Sequence, residues 1–243
     1  MVKNIILLIT FIILIFYSNS IKEDSFTPEQ YYNSDGDLVF NYYLYTPKII
    51  EEKMKLIIYL HGGSGKPNIE EGDLSLLVNE EGFPKYLKDK NITLSSYVIM
   101  PQIPYGKNGW SEVDTNLIDF IKYIIRRLNI NEKRISLTGH SMGGRGVWDI
   151  SLYSPKTFYK IAPLSGNIDV NNDNIIALKD SNIWAIVGSS DTIVDPNSSI
   201  QFINEISKIN KNAKITILEN YGHFDVPKVY LDLNYNVTNW LLE

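Results

Sequence analysis

Arg134-Ile135-Ser136-Leu137-Thr138-Gly139-His140-Ser141-Met142-Gly143-Gly144-Arg145-Gly146-Val147-Trp148 holds the change of pattern that decides the fold. Residues 134–138 alternate polar and apolar and predict a strand. Residues 144–153 predict a helix. The five residues between them, Gly139-His140-Ser141-Met142-Gly143, spell G-x-S-x-G. A chain that passes from strand to helix in so few residues turns sharply, and its middle residue takes a strained conformation. Steric crowding then demands small neighbours, which Gly139 and Gly143 supply. The hydroxyl of Ser141 would stand at the end of a sheet with a helix N-terminus behind it, as a nucleophile must. The bland alternative is a glycine-rich turn whose serine only caps the helix.

Working outward, strand patterns alternate with helical ones. Leu38 to Tyr45 is aromatic and β-rich, ended by Pro47. Lys55 to Leu60 is a continuous apolar run, the signature of a buried parallel strand, and leads into His61-Gly62-Gly63-Ser64-Gly65. Tyr97–Met100, Phe158–Leu164, Ile183–Val187 and Ile215–Leu218 predict further strands. Glu112–Leu128 places Leu117, Ile118, Ile121, Ile124, Ile125 and Leu128 on one helical face, with Ser111 as its N-cap. Asn197–Asn210 also has a helical period. This order predicts the α/β class, a doubly wound and mostly parallel sheet. One domain is expected over residues 38–243. Residues 165–183 are too few for a large cap.

The 243 residues are 44% hydrophobic and 21% charged, enough for one substantial core. The formal charge is −5, with no basic run to suggest a nucleic-acid partner. No cysteine is present, which excludes disulfides and thiolate sites, and three histidines argue against a histidine-built metal centre. No metal or cofactor is expected. Residues 1–20 differ in kind: a short basic start, an apolar run from Ile5 to Tyr17, then Ser18-Asn19-Ser20. They read as a signal peptide cleaved near Ser20, with an uncleaved anchor as the alternative. Secretion is the expected localisation, with no membrane span after cleavage. Residues 21–37 read as a flexible, polar lead-in. Asn91-Ile92-Thr93, Asn197-Ser198-Ser199 and Asn236-Val237-Thr238 match the glycosylation pattern. Oligomeric state is not legible.

A serine hydroxyl needs a base. His140 adjoins Ser141 on a sharp turn, so its side chain should point away. His223 follows the last strand, where loops at the carboxyl ends of strands gather, and is the expected base. A carboxylate should hold its tautomer. Asp195, before Pro196, fits a helix start, and Asp225 is very near His223 in sequence. Asp191 has no such task and is the expected partner. Oxyanion donors are expected at the amides of Met142 and Gly63, with Ser64 the runner-up for the second. The phosphate-loop alternative for residues 61–65 lacks the lysine-serine/threonine ending.

These pieces together resemble the α/β-hydrolase fold. They are Leu60-His61-Gly62-Gly63-Ser64-Gly65, Met100-Pro101-Gln102 with Trp110, Gly139 to Gly144 with Trp148, Gly188 to Asp195, and Tyr221-Gly222-His223. Within the fold they resemble the group of esterases and peptidases that includes feruloyl esterases and polyhydroxybutyrate depolymerases. The resemblance implies hydrolysis of an ester, on a small or polymeric substrate, through Ser141, Asp191 and His223. It also places the Pro101–Ser111 loop beside the nucleophile, where Trp110 could bind a substrate ring or else pack on the next helix. Arg145 could pair structurally or contact a substrate carboxylate. A serine peptidase would use the same residues, and a non-catalytic binding module would share the fold.

Overall fold

The computed structural model describes residues 23–243. The expected signal peptide lies outside them. Eight strands form one sheet in the order β1-β2-β4-β3-β5-β6-β7-β8. They are β1 (Ser25–Tyr32), β2 (Leu38–Thr46), β3 (Met54–Leu60), β4 (Tyr97–Pro101), β5 (Ile130–His140), β6 (Lys160–Leu164), β7 (Asn182–Gly188) and β8 (Ala213–Leu218). The pairs β1·β2 and β2·β4 are antiparallel. All pairs from β4·β3 to β7·β8 are parallel. The helices are α1 (Phe83–Lys88), α2 (Asp114–Leu128), α3 (Met142–Tyr153), α4 (Asn172–Ala177), α5 (Asn197–Ile206) and α6 (Val237–Leu242).

Continuous apolar strands bury side chains on both faces, because successive residues point opposite ways. β3 shows this division. Leu56, Ile58 and Leu60 face Leu117, Phe120, Ile121 and Ile124 of α2 and Val147, Trp148 and Ile150 of α3. Ile57 and Tyr59 face the other layer, with Phe83, Tyr86 and Leu87 of α1 and Leu241 and Leu242 of α6. Covered on both sides, the parallel strands deliver their carboxyl ends to one rim. Residues 61, 141, 191 and 223 all follow strand ends there.

Two expectations change. Residues 25–32 are a strand and not a flexible lead-in. β1 pairs along its length with β2 and bears Pro28, which an edge strand tolerates because one side of its backbone has no partner. Tertiary contacts hold it. The Phe26 and Tyr43 rings meet tilted with centroids 4.5 Å apart, Tyr31 lies 4.9 Å from Phe120, and Glu29 accepts from Tyr42 and pairs with Arg127. Ser111 does not cap α2: it lies within a 3₁₀ turn, Trp110–Val113, and the helix starts at Asp114.

Candidate active site

Ser141 sits between β5 and α3 with φ 61° and ψ −120°, a region that a non-glycine residue enters only under constraint. The constraint is visible on both sides. Its N–H donates to Leu164 O at 3.0 Å, and its carbonyl accepts from Arg145 N at 2.9 Å. The helix behind it presses on the sheet so closely that a Cβ on Gly143 would lie 1.9 Å from Leu60 O. Gly139 is under the same pressure, 2.5 Å from that carbonyl. The two glycines of the motif thus serve close backbone contact.

The loops after β7 and β8 bring Asp191 and His223 to this serine. His223 Nε2 lies 2.8 Å from Ser141 Oγ, and Nδ1 lies 2.8 Å from Asp191 Oδ2. Asp191 Oδ1 accepts from Val194 N at 2.9 Å and Ile193 N at 3.0 Å. Burial pushes the Asp191 carboxyl upward, but the Val194 amide, the His223 hydrogen bond and the Ile193 amide outweigh it and hold the group below the usual carboxylate value. An ionised Asp191 can only accept, so His223 carries its proton on Nδ1. Nε2 is then the acceptor for the serine hydroxyl proton. The two loops are also tied directly, through Ser190 N to Tyr221 O and Ser189 N to Leu218 O, both at 3.0 Å.

The other two histidines are buried and built in. His61 Nε2 accepts the Ile103 amide at 3.0 Å, so its proton is on Nδ1, donating to Gly62 O at 2.6 Å. Burial lowers its pKa to about 4. It joins the residue 61–66 loop to the strand end at 101–103. Gln102 joins them again: its amide nitrogen donates to Gly65 O and Asp73 O, and its oxygen accepts from Asp73 N. His140 Nε2 lies 2.9 Å from His223 O, and the hydrogen-bond partner of Ser141 Oγ is His223. The positioning work of His61 and Gln102 left no trace in the sequence, because a buried polar contact has no periodicity.

Those clamps fix a 3₁₀ turn, Gly63–Gly65, beside the nucleophile. Gly65 N and Lys66 N bond back to Gly62 O and Gly63 O. The first amides of such a turn, Gly63 and Ser64, have no partner inside it. Met142 opens α3, and its amide is likewise a first-turn donor. A Cβ on Gly62 would meet His140 O at 3.2 Å and the Ser141 Cβ at 3.4 Å, so this loop packs closely on the nucleophile turn.

Trp110 is not a substrate platform. It is 1% exposed, donates from Nε1 to His61 O at 3.1 Å, and packs on the bare face of Gly146. A large apolar ring is drawn into the core, and its N–H is satisfied there. Arg145 pairs structurally, with Asp149 at 2.8 Å and Asp169 at 3.6 Å. Asp195 stays exposed and accepts from Asn197 N at the start of α5. Asp225 accepts from Gly222 N and pairs with Lys228, 2.6 Å away. Beside the buried triad residues His223 and Asp191, the apolar side chains of Phe224 and Ile193 are 66% and 58% exposed. Among the described residues no group of acidic and histidine side chains is arranged to hold a metal, and no helix is long and apolar enough to cross a membrane.

No curated protein matches this sequence. Solved structures do match its fold. A thermostable esterase superposes with a TM-score of 0.70 at 23% identity, over 89% of this chain and 62% of the other. The chain thus spans less than two thirds of that protein. A feruloyl esterase module from Clostridium thermocellum, complexed with sinapinate, gives 0.64 at 14% identity, covering 87% of each chain. A fluorophosphonate-binding serine hydrolase of Staphylococcus aureus gives 0.64 at 15%, covering 91% of this chain and 99% of the other. The dienelactone hydrolase family matches residues 101–229, more than half of the chain and the part that carries Ser141, Asp191 and His223. The chain belongs to the dienelactone hydrolase family and has the α/β-hydrolase fold.

Proposed function

We propose that the protein is a secreted serine esterase that cleaves accessible carboxylic esters through an acyl-enzyme on Ser141. The observation that carries this reading is the unbroken relay from Asp191 through His223 to Ser141, with 2.8 Å at each step. His223 Nε2 takes the hydroxyl proton as Oγ attacks the ester carbonyl. The amides of Met142 and Gly63 receive the oxyanion. The imidazolium, paired with ionised Asp191, returns its proton to the departing alcohol. Water then repeats the sequence on the acyl-enzyme, releasing acid and restoring Ser141. The exposed rim at Phe224 and Ile193 favours esters borne on large or polymeric molecules, of acetyl or feruloyl type, over a small molecule enclosed on all sides.

An aryl ester such as p-nitrophenyl acetate should give a burst and steady turnover. Ser141→Ala should abolish both, and fluorophosphonate should label the unaltered chain at Ser141. Turnover that survives in Ser141→Ala overturns the mechanism. A panel of acetyl, feruloyl and long-chain esters with peptide amides separates esterase from peptidase. Secretion is tested by N-terminal sequencing of protein recovered from the medium, expected to begin near Ile21; full-length chain kept in the cell overturns it.

A further inference from the structure

We propose that His140 is a positioning residue that holds the base His223 in place during the half of the reaction in which Ser141 is acylated; this rests on the esterase reading above. His140 ends β5 and is bonded covalently to Ser141, so its backbone position is set by the same elbow that sets the nucleophile. Its side chain crosses to the β8 loop, where Nε2 meets His223 O at 2.9 Å and the two rings lie 4.6 Å apart. A carbonyl can only accept, so His140 donates from Nε2–H. Burial, with His223 alongside, lowers the pKa of His140 to about 3 and keeps it uncharged. It therefore adds no repulsion when His223 becomes an imidazolium.

Free enzyme and acyl-enzyme differ in what holds His223. In the free enzyme the imidazole is held at Nδ1 by Asp191 and at Nε2 by the serine hydroxyl. Once Oγ is esterified it has no proton to donate, and the Nε2 anchor is lost. Asp191 still fixes the ring at one nitrogen, and the His140 bond still fixes the backbone from which the ring hangs. Nε2 must meet a water at that stage, and a displacement near 1 Å is worth about a hundredfold in rate. The x residue before the serine in G-x-S-x-G, whose ring lies beside that of the base, thereby becomes the tether between nucleophile and base.

The test compares His140→Leu, which removes the donor at similar volume, with His140→Gln, whose amide nitrogen reaches the Nε2 position. Acylation is read from the burst phase with p-nitrophenyl acetate, and deacylation from decay of the acyl-enzyme after ester is removed. Deacylation in His140→Leu should slow about ten- to a hundredfold while acylation falls only a fewfold. His140→Gln should recover most of the loss, with KM near that of the unaltered enzyme. If the leucine variant does not fold, His140→Asn, whose amide is one bond too short, takes its place. Equal slowing of both steps, full activity without the donor, or a glutamine variant as slow as the leucine one overturns the inference. Failure of the unaltered protein to turn over ester or to label would instead overturn the esterase reading itself.

Discussion

His61 and His140 show how one residue type is driven into separate roles by its surroundings. Both are buried, and both make hydrogen bonds that a neutral ring completes. The unfolded chain binds a proton on each near pH 6.5, whereas the folded values lie near 4 and 3. Folded values below unfolded ones mean a contribution fully present above pH 6.5 and lost as the pH falls toward 4. At pH 5 each histidine should then cost about 2 kcal/mol of stability, as an upper figure. Denaturant titrations at pH 7.5 and pH 5 measure this, and a His61→Gln variant should show a shallower fall. Asp191 follows the same sign in the carboxylate range, because its folded value is lowered. At neutral pH, Asp191→Asn keeps the shape but removes the charge that sets the His223 tautomer, and kcat should drop about 10⁴-fold. A loss of less than tenfold would mean that another group orients the base.

At the scale of elements, the helix behind the nucleophile is pressed into the sheet at bare backbone positions. Gly143→Ala would set a methyl group 1.9 Å from Leu60 O, with no flexible side chain to yield. We expect a loss of about 3 kcal/mol or more, read as a fall in the thermal midpoint. Gly63→Ala, where a Cβ meets nothing within 4 Å, should leave the midpoint nearly unchanged. The edge strand is the element that pattern reading missed. Pro28, Glu29 and Gln30 break the apolar alternation, and only contacts remote in sequence make the segment a strand. Removing residues 21–32 would bare Tyr43 and the Phe120 cluster. That truncation should lower stability and promote association in light scattering, whereas loss of a loose tail would do neither.

For the whole molecule, what matters is that six parallel strands end at one rim. Only short 3₁₀ turns lie in the segment between Leu60 and Phe83, and among the described residues no separate cap domain stands over Ser141. An open site should give similar kcat/KM, within about tenfold, for one acyl group on a small alcohol and on a soluble oligomeric carrier. A far lower value on the carrier would mean that the site closes in solution. The chemistry was legible in the sequence because G-x-S-x-G between strand and helix is a local geometric demand, and because three histidines leave few candidates for the base. The sheet was legible because buried parallel strands must be apolar on both faces, as Leu56 to Leu60 are. Tertiary structure alone decided the fate of Trp110, which the sequence leaves free to meet substrate or core, and made a strand of residues 25–32. It alone turned His61, Gln102 and His140 into clamps. Periodicity records which side of an element faces the core, whereas a polar clamp depends on two loops meeting across the fold, and nothing in either loop records the other.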